Sequence, residues 1–506
     1  MVVFRALGPE AAFVTIAFLA FMMLLGYYAY RKRVGFTLQD FFLASKLLGF
    51  LILGLSLFAV QYSGNSFIGY AAKSYRAGAF FLAYPAFMIA LLIGILLLAP
   101  PLINLGSKRG YTSPGDFLED RWLGYKPLII ITLICLFWGA FMQFFEQFYA
   151  MGYLGSELSG GVLSWEVMVI LYSIAVIAYI LLGGFRGAAI VQAVQGAIML
   201  AGLVLMLTLL PAAFGLSYSE AFQKLASIAP AKVAVPKKAI LYNLWYSVIV
   251  LVMLGAILYP QMIQHYLAVR NPKTLKRMIT IMFPCYFFTA TSLWLFGLFG
   301  AAVIPGLGKM ESERVVPLLI RAIAGSGEVG YAASIVVTNA ILCATLSTVG
   351  GCLIALGMLI AKDIYKRFVN PVAPEARAIN ISRICMIIIV IAGTIAALRP
   401  VATIWRLTEI KFELLMQAFT PVVLGLYLAR LRPKPVFIGC LVGLVLAVSL
   451  TVAGMPKPYG IHAGLWGLIA NLAISLGGSY LTKPTEEELR RGQEIIRDSK
   501  IFKGAT

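Results

Sequence analysis

The sequence predicts an all-α polytopic membrane protein whose core is an inverted five-plus-five helix repeat. Three observations carry this. Hydrophobic residues make up 61% and charged residues 12% of the 506, against about 25% charged in soluble globular chains. Mean hydropathy is +0.91, so the apolar excess is chain-wide. Apolar runs long enough to cross a bilayer recur along the whole chain, and two of them are interrupted at corresponding places. A soluble globule of this size, a disordered chain and a secreted disulfide scaffold are excluded.

A helix needs about 20 apolar residues to cross the hydrocarbon core, and this measure gives about thirteen spans. They fall near 10–30, 48–73, 79–105, 126–157, 163–183, 187–213, 239–267, 275–305, 329–363, 379–398, 401–428, 434–454 and 462–481. Pro100-Pro101, Gly183-Gly184, Pro305 and Pro433 punctuate their ends. The first run is too long for a cleaved signal and reads as a retained span. After Thr485 the pattern Thr-Glu-Glu-Glu is a capping box opening a short charged tail helix.

The basic residues set the orientation. With the N-terminus outside, the odd-numbered loops and the tail hold about 27 of the 41 Lys and Arg. Arg31-Lys32-Arg33, Lys108-Arg109 and Lys366-Arg367 then face the cytoplasm of a plasma (inner) membrane protein. The net charge of +20 is spread between apolar runs and forms no nucleic-acid recognition stripe. The six cysteines lie singly in apolar stretches without CxxC spacing, which suits reduced packing residues. His265 and His462 lack ligand spacing, so no cofactor and no metal centre is expected.

Span 2 contains Gln61-Tyr62-Ser63-Gly64-Asn65-Ser66, in which Tyr62 to Ser66 are weak helix formers at mid-membrane depth. Backbone carbonyls freed in lipid are costly unless they line a cavity or bind an ion. Either a packing notch or a discontinuous helix with a binding site results. Span 7 is interrupted between Gly255 and Pro260, around Tyr259 and ahead of Gln261, Gln264 and His265. Two broken helices about 195 residues apart, each leading five spans, are the signature of a secondary transporter with its site at the repeat interface. Span 9 carries Ala344-Thr-Leu-Ser347-Thr348. Adjacent hydroxyls opposite freed carbonyls are hard neutral oxygens, the ligand type that suits an alkali cation.

These residues carry a resemblance. The chain resembles the sodium:solute symporter family, most clearly over residues 35–430. It does so through Asp40-Phe-Phe-Leu-Ala-Ser-Lys-Leu-Leu-Gly49, Gly183-Gly184-Phe-Arg-Gly-Ala-Ala, Pro260-Gln261-Met-Ile-Gln264-His265-Tyr-Leu-Ala, Ala344 to Thr348, and Lys362-Asp363-Ile-Tyr365. The resemblance implies a leucine-transporter-type fold: a peripheral span and loop in 1–47, a first repeat in 48–214, a second in 238–428, peripheral spans 12 and 13 in 429–481 and a cytoplasmic tail in 482–506. It implies a sodium site on the carbonyls of Ala59, Tyr62 and Ala344 and the hydroxyls of Ser347 and Thr348. The substrate would then lie near Gln61, Ser63, Asn65, Ser66, Gly255, Tyr259 and Gln261.

Two departures matter. Where most relatives carry Trp-Thr-Asp after the double glycine, this chain has Ile190-Val191-Gln192; the neutral Gln192 points to a single sodium. Val252, Leu254 and Gly255 stand where the sugar branch has an aromatic gate and amides, which disfavours a sugar. Span 11 carries Arg406, Glu409, Lys411 and Glu413, each costing about 2.5–3.5 kcal/mol at mid-helix. At 100° per residue Arg406, Glu409 and Glu413 share one stripe, and Lys411 points to the other side. One reading is a structural ion pair on the stripe, with Lys411 snorkelling or lining an aqueous vestibule. The other joins Lys411 to Glu146 of span 4, flanked by Gln143 and Gln147, or to a substrate carboxylate.

The expectation is sodium-coupled uptake of a small organic solute, a monocarboxylate or amino acid, by alternating access, with a monomer sufficing. Its partners are the solute, sodium and the bilayer; nucleic acid is not among them. Glu146, Gln192, Glu409, Lys411 and Glu413 are the coupling candidates. A proton-coupled carrier of the same fold and a transporter-like sensor remain as alternatives, and an enzyme is excluded for want of a nucleophile–base pair.

Overall fold

The computed structural model describes residues 2–31, 37–180, 184–234 and 236–500. Lys32, Arg33, Gly183 and the end of the tail from residue 501 lie outside them. All regular structure among the described residues is helical. Lipid offers the backbone no hydrogen-bond partner, so each apolar run closes its bonds internally.

Nine spans are simple helices: Pro9–Arg31, Ala83–Lys108, Lys126–Leu158, Trp165–Ile180, Gly184–Phe214, Pro272–Val303, Glu375–Ala397, Pro433–Val452 and Ala463–Leu481 form spans 1, 3, 4, 5, 6, 8, 10, 12 and 13. Four are composite. Span 2 is Phe50–Gln61 followed by a wide turn Ser66–Tyr70 and Ala71–Ala77; span 7 is Ala239–Ala256 and Pro260–Ala268. Span 9 runs Glu328–Met358 and loosens into Leu359–Val369, and span 11 is Ile404–Leu415 continued irregularly to Tyr427.

On length and apolarity, eleven helices among the described residues can cross a membrane, or twelve if a bent pair counts as one. The thirteen expected differ for two physical reasons. Trp165–Ile177 is a short apolar stretch. Ser66–Lys108 passes as one apolar length, although Gly78 at φ +66° divides it where no side chain is comfortable.

Spans 9, 11 and 4 are the most enclosed: their most apolar windows are 94%, 78% and 72% buried, against 28% and 33% for spans 6 and 7 and 17%, 28% and 33% for spans 1, 12 and 13. Spans 9, 11 and 4 therefore run through the interior of the bundle. Gly202 of span 6 lets span 9 approach so closely that a Cβ there would lie 2.4 Å from the Ala340 methyl, the use of small residues at helix contacts in membranes.

Both ends of the bundle are closed by polar ties. Before span 2, helix Leu38–Leu43 is capped by Thr37, and the segment Leu38–Lys46 is bent by 114° from Phe50–Gln61. Asp40 accepts from Ser45 at 2.9 Å and pairs with Arg186 at 3.3 Å. The loop after span 3 forms helix Pro114–Arg121, whose Ser113 and Gly115 donate to Asp363 at 2.5 and 3.2 Å. That contact accounts for the Lys362-Asp363 pair. Tail helix Glu486–Ser499 starts with the expected Thr485/Glu488 capping box. It docks through Arg109–Asp498 (2.5 Å), Arg491–Asp120 (2.7 Å) and Arg432–Glu488 (2.9 Å). On the opposite face, Arg76 at the end of span 2 holds Ser312 at 2.6 Å and buried Glu313 at 3.2 Å. Burial pushes the Glu313 carboxyl up to about 7, with Arg76 pulling the other way.

Candidate functional site

The site begins where span 2 leaves the helix. Tyr62 is extended (φ −88°, ψ 102°), so the chain cannot continue its i→i−4 ladder. The Ser63 amide donates to the Ser66 hydroxyl at 3.3 Å, and the Gly64 amide donates to Gln147 of span 4 at 2.9 Å. The carbonyls of Ala59 and Val60 thereby lose their helical donors. Both turn to span 9. Ser347 Oγ donates to the Ala59 carbonyl at 2.8 Å and lies 3.1 Å from that of Ala344; Thr348 Oγ1 donates to the Val60 carbonyl at 3.0 Å.

Ala59, Ala344, Ser347 and Thr348 are completely buried, and this oxygen cluster contains no carboxylate. A hydroxyl can rotate its proton away and present a lone pair, so the cluster can exchange its internal bonds for a bare monovalent cation. Four of the five expected sodium ligands meet here. The fifth expected ligand is the Tyr62 carbonyl; the Thr348 hydroxyl bonds the Val60 carbonyl two residues earlier, and the Tyr62 side chain separately donates its hydroxyl to the Tyr286 carbonyl at 2.6 Å. Val60 carries no polar side chain, so only the broken backbone could reveal it.

Gln192 braces this cluster from span 6. Its amide donates to the Ser347 carbonyl at 3.0 Å, and its oxygen accepts from Ser56 at 2.7 Å. Ser56 Oγ is 2.9 Å from His265 Nε2, and His265 Nδ1 is 2.7 Å from the Gln261 carbonyl. Spans 9, 6, 2 and 7 are thus joined in sequence. The sequence reading missed Ser56, whose signal was its place one turn before Ala59.

A second cluster lies beside the first and is charged. Lys411 reaches Glu146 at 2.8 Å, with both side chains at or below 1% exposure, and also donates to Gln143. Glu146 accepts from Asn65 at 2.8 Å and from Thr408 at 3.1 Å. Tyr259 donates to Gln143 at 3.0 Å, and Gly255 leaves room for Phe412, whose ring a Cβ there would meet at 2.7 Å. Both helix breaks therefore face one buried ion pair. Such a pair gains little net stability but is costly to break on one side. Thr408, one turn before Lys411, was missed; the charges around it in span 11 were the stronger signal.

The structure does not bring every candidate together. Glu409 and Glu413 sit with Arg406 at 3.1 and 3.5 Å, as their shared stripe suggested. Glu409 also holds Lys457 at 2.6 Å, and Glu413 accepts from Thr451 at 3.0 Å. Their bonds run toward spans 12 and 13, away from the two breaks. Ser63 and Ser66 serve the turn itself, and Gln61 is buried at its start.

An inner bundle with two broken helices facing a neutral oxygen cluster and a buried pair defines a helical membrane transporter, and comparisons with known proteins agree. The structure is similar to a substrate-bound sodium-coupled sialic acid symporter (TM-score 0.78, 18% identity, covering 94% of this chain and 98% of the other). It is also similar to the nucleobase-cation symporter Mhp1 (TM-score 0.56, 14% identity, 89% and 97%). These likenesses show the leucine-transporter-type fold. In sequence, the chain is 25% identical to the osmoregulated proline transporter OpuE of Bacillus subtilis strain 168, over 91% of this chain and 93% of that one. It is 26% identical to the sodium/pantothenate symporter of Escherichia coli K12, over 92% and 95%.

The sequence pattern of the sodium:solute symporter family matches residues 41–443, and the chain belongs to that family. It is a multi-pass membrane transporter for sodium-coupled uptake of a solute, and not an enzyme.

Proposed function

We propose that one sodium ion per cycle binds on the carbonyls of Ala59, Val60 and Ala344 and the hydroxyls of Ser347 and Thr348. We further propose that the solute is a small carboxylate or amino acid held between the two helix breaks. The observation that carries this is the pairing of Ser347 and Thr348 with the carbonyls freed by the break in span 2. A cation there would take both hydroxyls and both carbonyls at once, tying span 9 to the broken helix. The tied helix would keep Asn65 and Gly64 in place for the solute, and rocking of the inner spans would release both on the other side.

Gln192 supports the single-sodium stoichiometry, since a neutral amide holding a carbonyl adds no anionic ligand. The names of relatives, proline transporters and pantothenate symporters, fit a solute bearing a carboxylate. The distribution of basic residues supports an outer N-terminus and a cytoplasmic tail in the plasma membrane. One chain contains every group of the site, which supports a working monomer. The two breaks support repeats near 48–214 and 238–428.

The test is uptake of radiolabelled acids and amino acids into liposomes, with and without a sodium gradient, for wild type and Ser347→Ala/Thr348→Ala. Sodium-dependent uptake abolished in the double variant is expected. Uptake driven by a pH gradient in sodium-free buffer, indifferent to the two hydroxyls, overturns the reading.

A further inference from the structure

Sodium-coupled uptake leaves the class of solute open, and assigning that class rests on the symport reading of the site. Lys411 and Glu146 meet at 2.8 Å and are shut away from solvent. The rings of Phe412 and Tyr259 lie 4.9 and 5.6 Å from the ammonium. At the same two breaks, Asn65 Oδ1 and Gln261 Oε1 are buried without a hydrogen-bond partner, and each residue is 1% exposed. A closed region of this kind, with unused acceptors, is built to receive donors from a ligand.

Charge counting narrows the ligand. A plain carboxylate that takes Lys411 strands Glu146 in a dry site with only Asn65 and Thr408 as donors. A plain amine that takes Glu146 strands Lys411 instead. Either outcome leaves a buried charge unpaired. A solute bearing a carboxylate and an ammonium a few bonds apart replaces one internal pair by two, and the site stays neutral throughout.

We propose that the Lys411–Glu146 pair is an internal stand-in for a compact zwitterion of the amino-acid class, whose carboxylate takes Lys411 and whose ammonium takes Glu146. Opening the pair separates span 11 from span 4. Span 4 grips successive residues of the broken helix, Gln147 holding the Gly64 amide and Glu146 holding Asn65. The carbonyls of Ala59 and Val60 lie just before them on the same break. Solute occupancy is thereby passed to the sodium cluster through two adjacent residues.

The experiment uses the full-length protein, purified and reconstituted. The L-amino acids are tested for binding by thermal stability in sodium and for uptake into liposomes. Each is set beside the matching acid without its amino group and the matching amine without its carboxylate. At least one amino acid is expected to bind and be taken up, with its acid and its amine each at least 100-fold weaker. Lys411→Met and Glu146→Gln each lose the amino acid yet keep the sodium-induced change in tryptophan fluorescence. The double variant, which strands no charge, guards against misfolding: it keeps the sodium response and still loses the amino acid.

An acid that competes within tenfold of its amino acid overturns the assignment. So does a double variant that transports as wild type, or a panel in which no zwitterion binds. A zwitterion that binds and enters without sodium, still needing Lys411 and Glu146, supports the ion-pair assignment while removing the sodium reading beneath it.

Discussion

Spans 9 and 11 both cross the middle of the bundle and both face the break in span 2, yet they meet it with opposite chemistry. Span 9 offers Ser347 and Thr348, neutral hydroxyls that bond two backbone carbonyls. Span 11 offers Lys411, a full charge held by Glu146. A neutral hydrogen bond is worth about 1 kcal/mol net, whereas a buried charge deprived of its partner costs several. The first cluster can therefore exchange its bonds for an arriving ion at little cost. The second changes only when something brings compensating charge. On the proposed reading, this contrast gives span 9 the weakly held ion and span 11 the solute discrimination.

The largest expected effect tests the charged side. Lys411→Met leaves Glu146 buried and alone, and should lower stability by about 3–5 kcal/mol. Adding Glu146→Gln should restore most of it. Chemical denaturation of the three variants measures this, and additive losses would show that the two charges do not depend on one another.

Next comes the neutral side. Ser347→Ala/Thr348→Ala should cut sodium-dependent uptake about 100-fold, or about 2.7 kcal/mol, with a smaller loss of stability than Lys411→Met, because the Ala59 and Val60 carbonyls left without donors are neutral. A sodium titration of transport reads this out. Were stability to collapse while the sodium dependence stayed put, the roles of the two spans would be reversed.

Gly64→Ala probes the distance between the clusters. A Cβ there would come within 2.2 Å of Thr345 and 2.9 Å of Ala150, so the break must move away from spans 9 and 4. Overpacking of this kind costs about 1–3 kcal/mol. Sodium affinity and solute affinity should fall together, because both sites share the displaced segment.

Gln192→Leu should act on the neutral side alone. It frees the Ser347 carbonyl and Ser56 at a cost of about 1–2 kcal/mol, raising the sodium concentration for half-maximal uptake several-fold. Solute affinity measured at saturating sodium should be unchanged.

The smallest effect lies outside both clusters. Burial, opposed by Arg76, raises the Glu313 carboxyl from 4.5 to about 7. The native chain then binds more protons than the unfolded one between these values, so this group's contribution to stability is lost as pH rises from about 4.5 to about 7. Glu313→Gln should flatten that part of the profile, seen as a smaller melting-temperature difference between pH 5 and pH 8.

Much of this was legible in the chain. Apolar length revealed the spans, because a helix is the one way an isolated segment satisfies its backbone in lipid. Weak helix formers from Tyr62 to Ser66 marked the first break, and Gly255 with Pro260 the second. The adjacent hydroxyls of Ser347 and Thr348 stood out in an otherwise apolar span. Helical periodicity also separated Lys411 from the Arg406–Glu409–Glu413 stripe, and the two sets of contacts do lie on different sides of span 11.

Other features were invisible for physical reasons. Val60 takes part through its carbonyl, which every residue has, so only the path of the broken backbone selects it. Ser56 and Thr408 looked like ordinary helix hydroxyls until neighbouring spans placed Gln192 and Glu146 against them. Periodicity placed Glu409 and Glu413 on one stripe with Arg406, but only packing supplied their further partners, Lys457 and Thr451.

By itself, then, the sequence determined a many-spanned helical bundle, where its helices break and where adjacent hydroxyls stand in an apolar span. These follow from local hydrophobicity and local helix preference, which act along the chain. Which charge meets which, and which freed carbonyl meets which hydroxyl, was decided only by tertiary structure. Those choices depend on distances of a few ångströms between spans up to 288 residues apart, and no local property of the chain encodes them.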